Sequence, residues 1–121
     1  MRDDIHAYCK VGIVLSMAYP SAMQSAGEYL SALKKILVDP FFSVVELGSL
    51  PYASLAKTVS TMVSTAHAEA TYSGHSLLFS QKLNINSLDE QQRKTAVDVL
   101  MKGIDEAYAL QATEFQFLSR S

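Results

Sequence analysis

The sequence holds a single cysteine, Cys9, and no tryptophan. One cysteine excludes an intrachain disulfide framework and a zinc site built on cysteines. It suits a reducing compartment. An excess of positive charge is also lacking: ten Lys and Arg stand against twelve Asp and Glu, a formal net charge of −2. Without a basic patch there is no electrostatic footprint for nucleic acid or for an anionic membrane, and neither is expected as a partner. The most apolar stretch, Val11 to Tyr19, falls well short of the ~20 residues that span a bilayer. The segment before it, Met1-Arg2-Asp3-Asp4, is acidic where a secretory leader is basic. A cytoplasmic protein is the expectation. No Gly/Ser-rich linker, charge block or low-complexity tract divides the chain, so residues 1–121 read as one domain. Several catalytic signatures are missing too. There is no Gly-x-Gly-x-x-Gly after a strand, no Walker loop, no His-Glu-x-x-His and no Gly-x-Ser-x-Gly elbow.

What is present is a chain of 121 residues, 49% hydrophobic and 18% charged, which is the composition of a folded domain with a core. Val11 to Met17 is a continuous apolar run of strand length, of the kind that is buried on both faces of a parallel sheet. Ser25-Ala26-Gly27-Glu28 is a capping box, and Ala26, Tyr29, Leu30, Leu33, Ile36 and Leu37 follow at helical spacing. Asp39-Pro40 stops that helix. Phe42 to Leu47 reads as a second strand. Pro51 suits the first turn of a second helix, with Leu55, Ala56, Val59, Met62 and Val63 on its apolar face. His67 to Ser73 reads as a third strand, followed by a long loop from Gly74 to Asn86 in which Asn84 and Asn86 shape a turn. Ser87-Leu88-Asp89-Glu90 is a second capping box. The helix after it carries Val97, Leu100, Met101, Ile104, Ala107 and Tyr108 as its core face, and Thr113 to Leu118 reads as a fourth strand.

This alternation, β-α-β-α-β-α-β, implies a parallel sheet with crossover helices. Two architectures satisfy it: a (βα)3β half of a TIM barrel, or a doubly wound open sheet of the flavodoxin type. A full barrel takes roughly 250 residues, so the chain reads as the first half of something larger. Four strands with two open edges could also be completed by homodimerisation.

The segments Lys10-Val-Gly-Ile-Val, Phe41-Phe-Ser-Val-Val-Glu-Leu, Leu83-Asn-Ile-Asn-Ser-Leu-Asp-Glu, Gly103-Ile-Asp-Glu-Ala-Tyr and Glu114-Phe-Gln-Phe-Leu-Ser resemble the sugar-phosphate isomerase/epimerase family. These proteins have the xylose-isomerase-like TIM barrel. The likeness runs over nearly the whole chain and covers the amino-terminal half of that fold. It implies a divalent metal (Mn, Mg or Zn), a sugar or sugar phosphate as substrate, and proton transfer next to a carbonyl through an enediolate or a metal-assisted hydride shift. It also implies that many metal ligands belong to later strands, so that this chain needs a missing second half-barrel or a second copy of itself. The isolated chain is expected to lack a complete active site.

Barrel active sites sit at the carboxyl ends of the strands. That rule selects Glu46, at the end of the second strand, as a metal ligand or a catalytic base. Alternation places it with Phe42 and Val44, opposite Val45 and Leu47. His75, in the loop after the third strand, is the second catalytic and metal-ligating candidate. Tyr19 and Tyr72 are the candidates for lining a substrate pocket. His67 falls at the opposite, stability end, and Cys9 lies away from the site. Glu69, Thr71 and Ser73 share one face with Glu114 and Gln116, and Glu69 is expected to serve in an ion pair.

Overall fold

The computed structural model describes residues 9–74, 77–78 and 81–116. It forms four strands: β1 (Gly12–Val14), β2 (Val44–Leu47), β3 (Glu69–Ser73) and β4 (Glu114–Gln116). The helices are α1 (Leu15–Ala18), α2 (Ala26–Leu37), α3 (Ala56–Thr65) and α4 (Glu90–Ala109), with single 3-10 turns at Pro20–Gln24 and Ala53–Leu55. None of the helices among the described residues is long and apolar enough to cross a membrane.

Local chemistry accounts for most of these boundaries. Ser25 caps α2, its hydroxyl accepting the Glu28 N–H at 3.1 Å. The helix then buries Tyr29, Ala32, Leu33 and Ile36, one stripe at spacings of three and four. It ends before Asp39-Pro40, where the Asp39 carboxylate accepts the Phe41 N–H at 2.9 Å and turns the chain toward β2. The Asn84 side chain accepts the Asn86 N–H at 2.9 Å, the expected Asx turn ahead of α4.

Several boundaries differ from the reading of the sequence: β2 begins at Val44 rather than Phe42, and Pro51 lies in a bend before the 3-10 turn rather than in the first turn of α3. The apolar run expected as one strand to Met17 leaves the sheet after Val14, because β1 pairs with β2 only through Gly12–Val44, Ile13–Val45 and Val14–Glu46. Beyond that point Leu15 turns into the core while Ser16, Met17 and Ala18 are exposed on α1. The cap of α4 is Asp89 rather than Ser87. Its carboxylate accepts the Gln91 and Gln92 N–H groups, and the Ser87 hydroxyl instead accepts the Asp89 N–H at 3.1 Å. The third strand begins at Glu69. Before it, His67 takes a left-handed turn (φ 56°) that closes α3.

The four strands are all parallel and lie in the order β1-β2-β3-β4. A flavodoxin-like sheet reverses its strand order and covers both faces. Among its described residues this sheet does neither. Ile13, Val45, Leu47, Ala70, Tyr72 and Phe115 share the face that joins Tyr29, Leu33 and Ile36 of α2, Val59 and Val63 of α3, and Ala107 of α4 in one core. Each large side chain buried there contributes about 1.5–3 kcal/mol. Val14, Val44, Glu46, Glu69, Thr71, Glu114 and Gln116 alternate to the other face. The core helices bury their stripes against the first face, and on the second face Ser73 is buried at the end of β3. As expected, Glu69 is ion-paired there, with Lys10.

The largest departure concerns α4. Its inward stripe is Ala96, Leu100, Gly103 and Ala107. Small residues let the helix sit close: a Cβ on Gly103 would lie 2.7 Å from Leu77 Cδ1. Leu100 and Ala107 are inside as expected, but Val97, Met101, Ile104 and Tyr108 are 42%, 55%, 44% and 86% exposed.

Candidate functional site at the carboxyl ends of the strands

Two sets of polar groups gather where the strands end. The first lies on the uncovered face. Register aligns Val14, Glu46, Thr71 and Glu114 in one row across the sheet. Val45 and Leu47, each 1% exposed, fill the core, so alternation turns Glu46 to the uncovered side. This is the placement expected for Glu46. Glu46 and Glu114 are separated by two strand spacings of about 4.8 Å, or about 10 Å between backbones. Among the described residues, no group of three His, Cys, Asp or Glu side chains converges to hold a metal ion. The described residues alone therefore do not supply the divalent-metal site that the family resemblance implies, and Glu46 and Glu114 are the carboxylates of this row. His75 lies outside the described residues.

The second set lies on the helix side and was not singled out in the sequence. Glu106, on α4, accepts through one carboxylate oxygen both the Tyr72 hydroxyl at 2.8 Å and the Leu50 N–H at 2.9 Å. One residue thus ties α4 to β3 and to the loop that follows β2. Ser49 lines the same cavity as Tyr72 and Glu106. The Tyr72 ring is buried and stacks on Phe115, with centroids 5.4 Å apart and planes 11° from parallel. Near the same carboxylate lies the Tyr29 hydroxyl, which is buried and has no hydrogen-bond partner among the described residues. The one signal for Glu106 in the sequence was an acid one place before the inward Ala107 and three after the inward Gly103.

Two adjoining cavities open here. One, of about 260 Å³, is lined by Ser49, Tyr72, Gln81, Lys102 and Glu106. The other, of about 380 Å³, is lined by Ser16, Tyr29 and Gly48, and shares Ser49, Leu77 and Gln81 with the first. Tyr72 therefore lines a cavity at the strand ends, as a substrate-pocket residue would. Tyr19 does not join this group. It packs beside α2, with the Lys35 ammonium 5.7 Å from its ring centroid.

Burial, reinforced by the Glu106 charge, pushes the Tyr29 phenol above its ordinary range. Burial, the hydrogen bond to Glu106 and the charge of Glu106 do the same to Tyr72, against a smaller opposing effect of Ser49. Both phenols stay protonated in the fold at a pH where unfolded tyrosines, near pKa 10, ionise. Above about pH 10 the unfolded chain therefore binds fewer protons than the native one, and stability falls as pH rises. Urea denaturation at about pH 8, about pH 9.5 and about pH 11 should show a falling midpoint. The Tyr29→Phe/Tyr72→Phe double variant should show a smaller fall, and an equal fall would refute the assignment. At neutral pH, Tyr29→Phe alone should be neutral or mildly stabilising, since it removes a buried hydroxyl that has no hydrogen-bond partner among the described residues.

Chemically, the cluster offers a carboxylate, two protonated phenols, a serine hydroxyl and an amide around a concave opening, a set suited to hydrogen-bonding a polar small molecule. Comparison with protein-family models, with curated proteins and with solved structures finds no match to this chain.

Proposed function

We propose that the chain is one half of a (βα)8 barrel of the xylose-isomerase-like type it resembles, and that the assembled barrel isomerises or epimerises a sugar or sugar phosphate. The observation that carries this reading is the combination of sequential parallel order with the helices α2, α3 and α4 gathered, among the described residues, on one face. In a closed barrel the helices form the outer ring and the opposite face becomes the interior. Glu46 then stands at the mouth, at the carboxyl end of β2, where barrel enzymes place their chemistry.

In this reading the Glu46 carboxylate removes a proton from the carbon beside the substrate carbonyl and returns it to the former carbonyl carbon. The hydroxyl proton passes to the former carbonyl oxygen through the enediol, so that the carbonyl moves by one carbon. The ligands for a divalent metal come largely from the complementing half, with His75 a further candidate.

A second reading is a non-catalytic half-barrel that associates with itself. It is favoured by the two edge strands of the described sheet, β1 and β4, each three residues long. Exposed edges invite pairing. Light scattering with and without Mn²⁺ or Mg²⁺, combined with NMR detection of deuterium uptake by aldoses, ketoses and their phosphates in D₂O, separates the readings. An assembly that exchanges carbon-bound protons, and loses that exchange in Glu46→Gln, supports the isomerase. A particle of about 27 kDa, twice the 13.3 kDa chain, without exchange supports self-association. A stable monomer without exchange sinks both.

A further inference from the structure

We infer that the two cavities beside Glu106 form a binding site for a free α-amino acid with an apolar side chain. Glu106 takes its ammonium, Lys102 its carboxylate and the adjoining cavity its side chain. The site lies on the helix side of the sheet, the face opposite Glu46, and stands whether or not the chain is half of a barrel.

Three polar groups here have bonding capacity that the fold leaves unused. Glu106 receives the Tyr72 O–H and the Leu50 N–H on one oxygen, Oε1. Its Oε2 accepts no hydrogen bond among the described residues, although a carboxylate has about four acceptor positions. Lys102 stands one turn before Glu106 on α4 and lines the same cavity. The ion pairs among the described residues are Lys10–Glu69 and Lys94–Glu90, so Lys102 and Glu106 do not close on each other. The third group is the Tyr29 hydroxyl. Tyr29 is 1% exposed and lines the adjoining cavity, and its hydroxyl has no hydrogen-bond partner among the described residues. A buried hydroxyl in that state costs stability, and a ligand that supplies a partner recovers it.

The arrangement selects one class of molecule. Residues four apart on a helix hold their Cβ atoms about 6 Å from each other, so a negative and a positive side chain flank one opening. Lys102 is exposed and Glu106 is half-buried, which puts the cation at the rim and the carboxylate deeper. A ligand with an ammonium and a carboxylate on one carbon satisfies both. Its ammonium donates to Glu106 Oε2 and to the Tyr29 oxygen, and its carboxylate turns outward to Lys102. A simple amine would bring a second cation beside Lys102, and a simple acid would bring a second anion beside Glu106. Each of these like-charge contacts costs affinity. An uncharged polyol would leave both protein charges unmatched. The side chain on the same carbon enters the second cavity, which Leu15, Met23 and Leu77 line. The two cavities, of about 260 and 380 Å³, share walls. They stand at the small end of ligand sites, a size that suits one amino acid better than a peptide or a nucleotide.

Isothermal titration of the full chain with L-leucine, at neutral pH and low salt, should give saturable binding with a dissociation constant below about 1 mM. Isoamylamine lacks the carboxylate, isocaproate lacks the ammonium and glycine lacks the side chain. Each should bind about tenfold or more weakly than leucine. Tyr29→Phe removes only a hydroxyl without a partner, so the fold should hold while the affinity for leucine falls about fivefold. Glu106→Gln should lower that affinity about tenfold or more, and Lys102→Gln about threefold, since the Lys102 charge is exposed. Amide NMR shifts on titration should be largest at residues 48–50, 72 and 102–106. Three results would overturn the inference. These are no saturation by about 10 mM leucine, isoamylamine binding as tightly as leucine, or an affinity for leucine that Glu106→Gln and Tyr29→Phe, the latter checked as folded by its thermal midpoint, both leave unchanged.

Discussion

Replacing Glu106 by alanine is expected to destabilise the fold by about 2–4 kcal/mol, measured by urea denaturation at neutral pH. The substitution strands two donors, the Leu50 N–H and the Tyr72 hydroxyl. Each buried donor left without an acceptor costs about 1–3 kcal/mol. Both donors are only part-buried and can regain some hydration, which holds the total below the upper sum. Glu106→Gln retains a carbonyl oxygen able to accept both bonds and should recover more than half of the loss. Tyr72→Phe removes one donor together with its demand, and should cost about 1 kcal/mol. The two sites share a bond, so the double variant should fall short of additivity by about 1 kcal/mol. Strict additivity would show that Glu106 and Tyr72 do not act together.

Gly74→Val is expected to cost about 3 kcal/mol, with Gly74→Ala intermediate. Gly74 is buried at the end of β3, and its N–H donates to the Gln116 carbonyl at 2.6 Å. A Cβ there would stand 2.6 Å from Phe115 Cζ and 3.2 Å from the Gln116 oxygen. The ring cannot give way freely, since it stacks on Tyr72. The added methyl pushes β4 off the sheet, the kind of overpacking that costs about 1–3 kcal/mol, or more for the larger side chain. Hydrogen exchange should quicken first at residues 114–116, ahead of β1 and β2. A uniform loss of protection across the sheet would argue against a local clash.

Much of this architecture was legible in the residues. Ser25 with Glu28, the Asp39-Pro40 stop and the β-branched run before Glu46 act through neighbours in the chain, so their effect can be read locally. The face of Glu46 followed from alternation alone. The fate of Leu15 to Ala18 did not, because it turns on where β2 stops offering a partner. The core face of α4 was misjudged for a related reason. Hydrophobicity marked Met101 and Ile104 as inside, but the seat against the sheet is narrow, and Ala96, Gly103 and Ala107 fit it better. Glu106 was overlooked because its role depends on Tyr72 and Leu50, which are distant in sequence and adjacent only after folding. His75, Phe117 and Leu118 lie outside the described residues.

The sequential strand order also shapes how the molecule forms. Gly12 meets Val44 across 32 residues, Val44 meets Glu69 across 25, and Thr71 meets Glu114 across 43. Each pairing joins neighbouring segments, so no strand waits for a distant one before it can dock. Loop-closure entropy is met in modest instalments rather than one large step. Such a chain can assemble vectorially as it leaves the ribosome, each βα unit templating the next.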